Sequence, residues 1–297
     1  MANNITHVAY SDESYQTASR YRSVAVITLN AADESAITVI FNEILRESGI
    51  SEFKWAKLRQ ARERFAALKM LDKTIALALQ GELRADILIW DTRDSRHQIP
   101  GRDDVANLQR MYYHLLENVL QRRWLAGSTW MLHPDENTAL DWLTVQDFLD
   151  AAGFGIRIDG NLFEGGFRLR LEQDFRVLQI VEVSSAKTPL SQLADLFAGL
   201  GAFSYSAYDK YESWLHSQSG QMSLFDYQPC KVSNSERERF TVIKHLDEQC
   251  KKKHKLGVGL RSSRGFRTYN PANPINFWLY EPHHPDDKAP TREVRKQ

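Results

Sequence analysis

The chain has 297 residues, 42% of them hydrophobic and 26% charged, and 38 Lys and Arg balance 38 Asp and Glu. That length buries a large core in one elaborated domain or two, and zero net charge argues against coating nucleic acid by bulk electrostatics. No apolar run nears the roughly 20 residues of a membrane helix.

The start, MANNITHVAYSDES, lacks a basic segment followed by a long apolar one, so secretion is not expected. Two cysteines, Cys230 and Cys250, match neither a zinc spacing nor a disulfide framework. A reducing cytoplasm is the expected compartment.

In chain order, residues 6–12 (THVAYSD) and 23–30 (SVAVITLN) are β-branched runs either side of a polar stretch, and predict neighbouring antiparallel strands. Residues 31–50 carry Ile37, Ile40, Phe41, Ile44 and Leu45 at helical spacing, with Gly49 as the stop. SEFKWAKL (51–58) reads as a short third strand or strand end, and 59–83 is a strong helix. RADILIWD (84–91) is an apolar strand, and 103–127 a helix with Asp103 and Asp104 at its favourable end. STWMLHPDE (128–136) predicts a strand, 139–153 a helix and 176–185 a late strand. Residues 189–216 predict one helix, opened by Pro189. Strands alternating with helices after an antiparallel pair read as a mixed α/β sheet flanked by helices. Residues 1–216 form the expected catalytic domain. Residues 217–297, a loop, a helix and a basic, aromatic extension, would pack on it through Phe277, Trp278 and Tyr280.

Three predicted strands end in acid, at Asp12, Asp91 and Asp135. Parallel neighbours present their C-terminal ends at one edge, where ligands bind. Mg²⁺ takes hard oxygen ligands and keeps several waters, so two or three carboxylates with a substrate phosphate suffice. A single such Asp is ordinarily a turn or a cap, whereas several on alternating strands suggest a shared site. Glu52 lies among Phe53, Lys54 and Trp55. Asp195 lies beside Leu193, Leu196 and Phe197, where an Asp costs stability unless it meets a partner.

The stretches AYSDES, EFKWAKL and SSAKTPLSQLADLFAGL resemble the RNase H-like family catalogued as domain of unknown function 3800, widespread in bacteria and phages. The resemblance spans roughly residues 5–215. The late motif keeps Ser185, Lys187, Gln192, Leu193, Ala194 and Asp195, but has Ser184 where an Asp is common. What the resemblance implies is an RNase H-like sheet on which Asp12, Glu52, a fourth-strand Asp91 and the helix-borne Asp195 converge. Two Mg²⁺ or Mn²⁺ ions about 4 Å apart would there clamp the attacking water and the leaving oxygen of a phosphodiester. Asp12 would bridge both ions, Asp91 and Asp195 would complete the shells, and Glu52 would ligate one ion or orient water. Asp135 and Glu136 are the reserve ligands, and His133 is a candidate acid or base. Lys54 and Lys187 are placed to hold the scissile phosphate as point charges.

Residues 250–267 carry seven Lys or Arg and no acid. Lys252, Arg261, Arg264 and Arg267 would track a phosphate backbone there, with Tyr269 or Trp278 stacking a base. GQMSLFD (220–226) resembles the bacterial sliding-clamp-binding peptide, with Gln221, Met222, Leu224 and Phe225 in its slots. The expected activity is a metal-dependent nuclease. The rivals are a non-catalytic nucleic-acid or protein-binding module that kept the fold, and a metal phosphohydrolase acting on a small molecule.

Overall fold

The two β-branched runs at the N-terminus pair along their whole length. β1 (His7–Ser14) and β2 (Tyr21–Asn30) are antiparallel, with Asp12 opposite Ala25. The structure, a computed structural model, describes residues 4–14, 19–94, 103–136, 140–159, 168–218 and 231–281. β3 (Leu83–Asp91) pairs antiparallel with β2 and therefore runs parallel to β1. On the other side of β1 lies β4 (Ser128–Pro134), parallel to it, and β7 (Phe175–Ile180) pairs parallel with β4. Central strands of this kind are apolar on both faces because helices cover both.

One face carries α1 (Glu34–Glu47), α2 (Ala61–Gln80) and α5 (Pro189–Ser206) over a core that includes Ile27, Phe41, Ile87 and Phe197. The predicted stripe of α1 buries Ile37, Phe41, Ile44 and Leu45, and Gly49 follows the helix at φ +67°, the left-handed conformation that ends helices. The opposite face carries α3 (Asp104–Arg122) and α4 (Trp142–Ala152) over Val24, Val26, Leu88, Trp90 and Trp130. The Asp103 side chain caps α3 by accepting from the Ala106 N–H at 2.8 Å.

Two expectations need correcting, and two features go beyond what was expected. SEFKWAKL is no strand: it is an extended loop closing in a 3₁₀ turn at Trp55–Lys57. The single helix predicted over 189–216 breaks at Ala207 into α5 and α6 (Tyr208–Gln218). A hairpin of β5 (Phe154–Asp159) and β6 (Arg168–Gln173), unforeseen, follows α4. The C-terminal extension does more than pack on the domain. After α7 (Asn234–Glu248) and a ribbon of β8 (Val258–Gly259) and β9 (Arg267–Thr268), β10 (Ile275–Leu279) adds to the sheet parallel to β3. Phe277 is fully buried there, against Phe266 and Phe197.

The sheet order is β10-β3-β2-β1-β4-β7. Its antiparallel start followed by parallel strands, flanked by seven α-helices among the described residues, is the mixed α/β sheet that the order of predicted elements implies. No helix among the described residues is long and apolar enough to cross a membrane.

Candidate functional site

β1 and β4 are parallel neighbours, so their C-terminal ends meet at one edge of the sheet. Ser11 is level with Pro134, and the Asp135 N–H donates to the Ser11 carbonyl at 2.9 Å. Side chains alternate between faces. Asp12 shares a face with Val8 and Tyr10, and Asp135 with Met131 and His133; the Tyr10 and His133 rings stack at 4.9 Å on that side. Asp12 and Asp135 therefore emerge side by side on the face that α5 covers. Glu13 turns to the other face, where it accepts a hydrogen bond from Tyr112.

The third acid, Glu52, arrives on the loop that mimicked a strand, and the fourth, Asp195, on α5, against which that loop lies. Phe53 and Trp55 point inward, 0% and 6% exposed, and leave Glu52 and Lys54 half-buried between them. The loop's amides bond to α5 instead of to a strand. The Phe53 N–H donates to Gln192 Oε1 at 2.7 Å, and the Trp55 N–H to Asp195 Oδ2 at 2.6 Å. Residues three apart share one side of a helix, so Gln192 and Asp195 grip two alternate amides of an extended chain. Gln192 also donates to the Ser185 carbonyl at 2.7 Å. The Ser185 N–H donates to Asp135 Oδ1 at 3.0 Å, and its hydroxyl to Glu52 Oε1 at 3.3 Å. Ser185 and Gln192 are thus the knots of the site, a role that sequence reasoning assigned to neither. The signal was present in the spacing of Gln192 and Asp195, which has no meaning until the loop is laid against the helix.

Lys54 sits among the carboxylates, with Nζ 3.5 Å from Asp135 Oδ2. Burial lowers the basicity of its ammonium, but the charges of Asp135, Asp12, Asp195 and Glu52 outweigh burial and raise it. Asp12 is 6% exposed, and its carboxyl is held well above the usual range, first by burial and then by the charges of Asp195, Glu13 and Asp135. Asp195 is pushed up to about 6 by burial, against the Trp55 N–H and Lys54, which favour its ionised form. Four acids around one ammonium leave an excess of negative charge in a poorly hydrated place.

The donor set fits a divalent cation: the acids are hard oxygen ligands, and their mutual repulsion is what a cation relieves. Among the described residues, no group of three or more Asp, Glu, His or Cys already surrounds a common point, and Lys54 is the local cation.

Asp91 stands outside the cluster. It closes β3, the third strand, where it pairs with Arg20 at 2.6 Å and accepts from the Arg93 N–H at 2.9 Å. Asp12 is level with Ala25 and hence Ile87, four residues short of Asp91, and β2 lies between the strands. Strand spacing and rise then separate the two Cα atoms by roughly 16 Å. Asp135, a reserve ligand in the sequence reading, fills the place given to Asp91, because β4 is the parallel neighbour of β1.

His133 is 8% exposed, stacked on Tyr10 and bonded through Nδ1 to the Val181 carbonyl, a packed residue. Glu136 is exposed beyond the strand, and Lys187 is exposed at the end of the Ser185–Lys187 turn. The basic segment is dispersed. Lys252 is exposed and pairs with Glu248, and Arg261 is exposed. Arg264 pairs with Asp209 above the Tyr208 ring, and Arg267 lies on β9. Cys250 is fully buried, and burial pushes its thiol up to about 12, so it is no nucleophile. Gln221, Met222, Leu224 and Phe225 of the clamp-like peptide lie outside the described residues, as does Cys230.

Asp195 makes a pH-dependent contribution whose sign is fixed. Its carboxyl moves from an ordinary 3.8 to about 6 on folding. Between those values the folded chain binds more proton than the unfolded one, so stability falls as pH rises from about 4 to about 6. Asp195→Asn removes that loss. In EDTA, the advantage in thermal midpoint of Asp195→Asn over the parent is expected to grow across this window and then level off. An advantage independent of pH would mean that Asp195 ionises normally.

No family model matches the chain. Two proteins of Methanothermobacter thermautotrophicus, the "Uncharacterized protein ORF2'" and the "Uncharacterized protein ORF2", are each 40% identical to it over 291 residues. Each alignment covers 95% of this chain and 97% of the archaeal one. The chain therefore belongs to the same family as these two archaeal proteins.

Proposed function

We propose that the chain is a divalent-metal-dependent nuclease, and that its family falls within the RNase H-like group catalogued as domain of unknown function 3800. The observation that carries the reading is the gathering of Asp12, Asp135, Asp195 and Glu52 around Lys54 where parallel strands β1 and β4 end. The three motifs behind the resemblance support it, since each delivers a residue to this one place. Asp12 comes from AYSDES, Glu52 and Lys54 from EFKWAKL, and Asp195 from the late motif.

Asp12, Asp135 and Asp195 would hold Mg²⁺ or Mn²⁺. Bound there, the metal supplies a more acidic water and charge stabilisation at the phosphoryl oxygens. The chain's own groups do the rest. Glu52, steadied by the Ser185 hydroxyl at 3.3 Å, is placed to accept a proton from the attacking water. Lys54, with Nζ 3.5 Å from Asp135 Oδ2, is placed to pair with a non-bridging phosphate oxygen as a point charge. Burial of Asp12 keeps bulk water from competing for the same oxygens.

The test is cleavage of labelled DNA, RNA and their hybrid with Mn²⁺ and with EDTA. Products are expected with metal only. At metal a hundredfold above its dissociation constant, linkage stabilises the fold by about 2.7 kcal/mol and lifts the thermal midpoint by about 5 °C. No cleavage of any substrate, together with no thermal shift at millimolar metal, would remove the reading.

A further inference from the structure

The opposite face of the sheet carries a second cationic feature. On α3, Arg110, His114, Asn118 and Arg122 recur every four residues and so form one stripe along the helix. On β10 and just past its end, Asn276, Trp278 and Tyr280 recur every two residues and share one face. These two stripes are the walls of a groove of about 640 Å³, to which Arg123, Arg267 and Tyr269 also contribute. Among the described residues, no Asp or Glu lines it. Four arginines and no acid are unexpected on a chain of zero net charge.

Three of these arginines are not consumed by ion pairing. Arg122, Arg123 and Arg267 make no ion pair among the described residues, and the one hydrogen bond of the Arg123 side chain goes to Asn118 Oδ1 at 3.4 Å. Asp86, behind the groove, is fully buried and already bonded to Arg84 and Asn276. The ring surface is also in place. Tyr269 is 67% exposed, Trp278 is half-buried, and Tyr280 stacks on His114 at 5.1 Å. Arg110 to Arg122 spans about 18 Å of helix. A single nucleotide cannot touch both ends of that line, whereas about five stacked nucleotides at 3.4 Å each can.

We propose that this groove binds a single-stranded nucleic-acid segment, with the arginines on its phosphates and Tyr269 and Trp278 against its bases. The groove lies three strands from β1 and on the face away from α5. Binding there holds whether or not the acid cluster cuts, and goes beyond the hydrolytic reading. Recognition of this type is tolerant of sequence and sensitive to salt.

The experiment is fluorescence anisotropy of a labelled single strand of about 12 nucleotides, in EDTA so that cleavage plays no part. Joint replacement Arg122→Gln and Arg267→Gln is expected to weaken binding at least tenfold. It should also lower the slope of log K against log salt by about 1.4, or 0.7 for each phosphate that no longer meets a cation. Tyr269→Ala, exposed and harmless to the fold, should weaken binding about tenfold by leaving one base unstacked. The control Arg46→Gln with Arg62→Gln, exposed cations elsewhere, should leave both readouts unchanged. Unchanged affinity in the groove variants, or an equal loss in the control, overturns the proposal. Displacement by polyglutamate or by a mononucleotide as effective, charge for charge, as by the unlabelled strand also overturns it, leaving only an anion site.

Discussion

Asp12→Asn is expected to lower metal-dependent cleavage about a thousandfold, roughly 4 kcal/mol of transition-state stabilisation, without unfolding the protein. Asn keeps the shape of the side chain and can still accept from the Glu13 N–H, which bonds Asp12 Oδ1 at 2.7 Å. It removes one of the charges that raise one another's pKa, so the metal-free variant should be at least as stable as the parent. Loss of chemistry with gain of stability separates a working acid from a structural one. Asp91→Asn is the paired control. It breaks an exposed ion pair with Arg20, worth about 1 kcal/mol or less, and should cut at nearly the parental rate. Single-turnover cleavage and thermal melting of both variants give the answer. A parental rate from Asp12→Asn, or a dead Asp91→Asn, would sink the assignment of the cluster.

That pair of variants also shows where the sequence was legible. Runs such as Val24 to Leu29 and Ile87 to Trp90 announce buried strands, and the helical stripes of α1 and α3 are as plain. Asp12 and Asp195 were readable as acids in apolar surroundings. Which strand lies on the other side of β1 from β2 was not readable, because that partner is chosen by contacts remote in sequence. Asp91 and Asp135 end their strands alike, and only the sheet order separates them. Glu52 was found for a partly wrong reason. SEFKWAKL alternates with the period of a strand, since Phe53 and Trp55 must be buried while Glu52 and Lys54 are not. Alternation reports which side chains are buried, not where the backbone amides bond. Here they bond to Gln192 and Asp195. The place of β10 was hidden for the same reason, although its apolar run was visible: nothing local in INFWL says that it pairs with β3.

The same loop shows why the acids are tolerated at all. Burying like charges together is costly, and the fold offsets part of that with Lys54 and with amide donors aimed at Asp195 and Asp135. The offset is incomplete, as the raised carboxyls of Asp12 and Asp195 show. An arrangement stabilised only in part by its own groups is one that the proposed cation would complete.

Gly199→Ala tests how the loop is held. Gly199 lies on α5 four residues after Asp195, on the same side of the helix, and a Cβ added there would fall inside the Trp55 indole. Asp195 thus grips the Trp55 amide while Gly199 makes room for its ring. Phe203 meets the indole edge-on at 5.8 Å, and the Arg239 guanidinium lies 5.5 Å from the ring centroid, so the ring has little space to retreat. Two effects oppose one another. Ala stabilises a helix interior by about 1 kcal/mol relative to Gly. Overpacking a rigid core costs about 1–3 kcal/mol, and more where the neighbour is a buried ring. Overpacking should prevail, with a net loss of about 2 kcal/mol, a thermal midpoint lower by about 3 °C and cleavage down at least tenfold as Glu52 and Lys54 shift. Trp55→Leu in the Gly199→Ala background should recover stability, because the smaller side chain removes the clash, and the coupling between the two sites should be large. It should not recover full activity, since Trp55 also sets the path of the loop. If Gly199→Ala instead stabilises the protein and cuts as well as the parent, then helix propensity prevails, and the loop is not seated on α5 tightly enough to place Glu52 and Lys54.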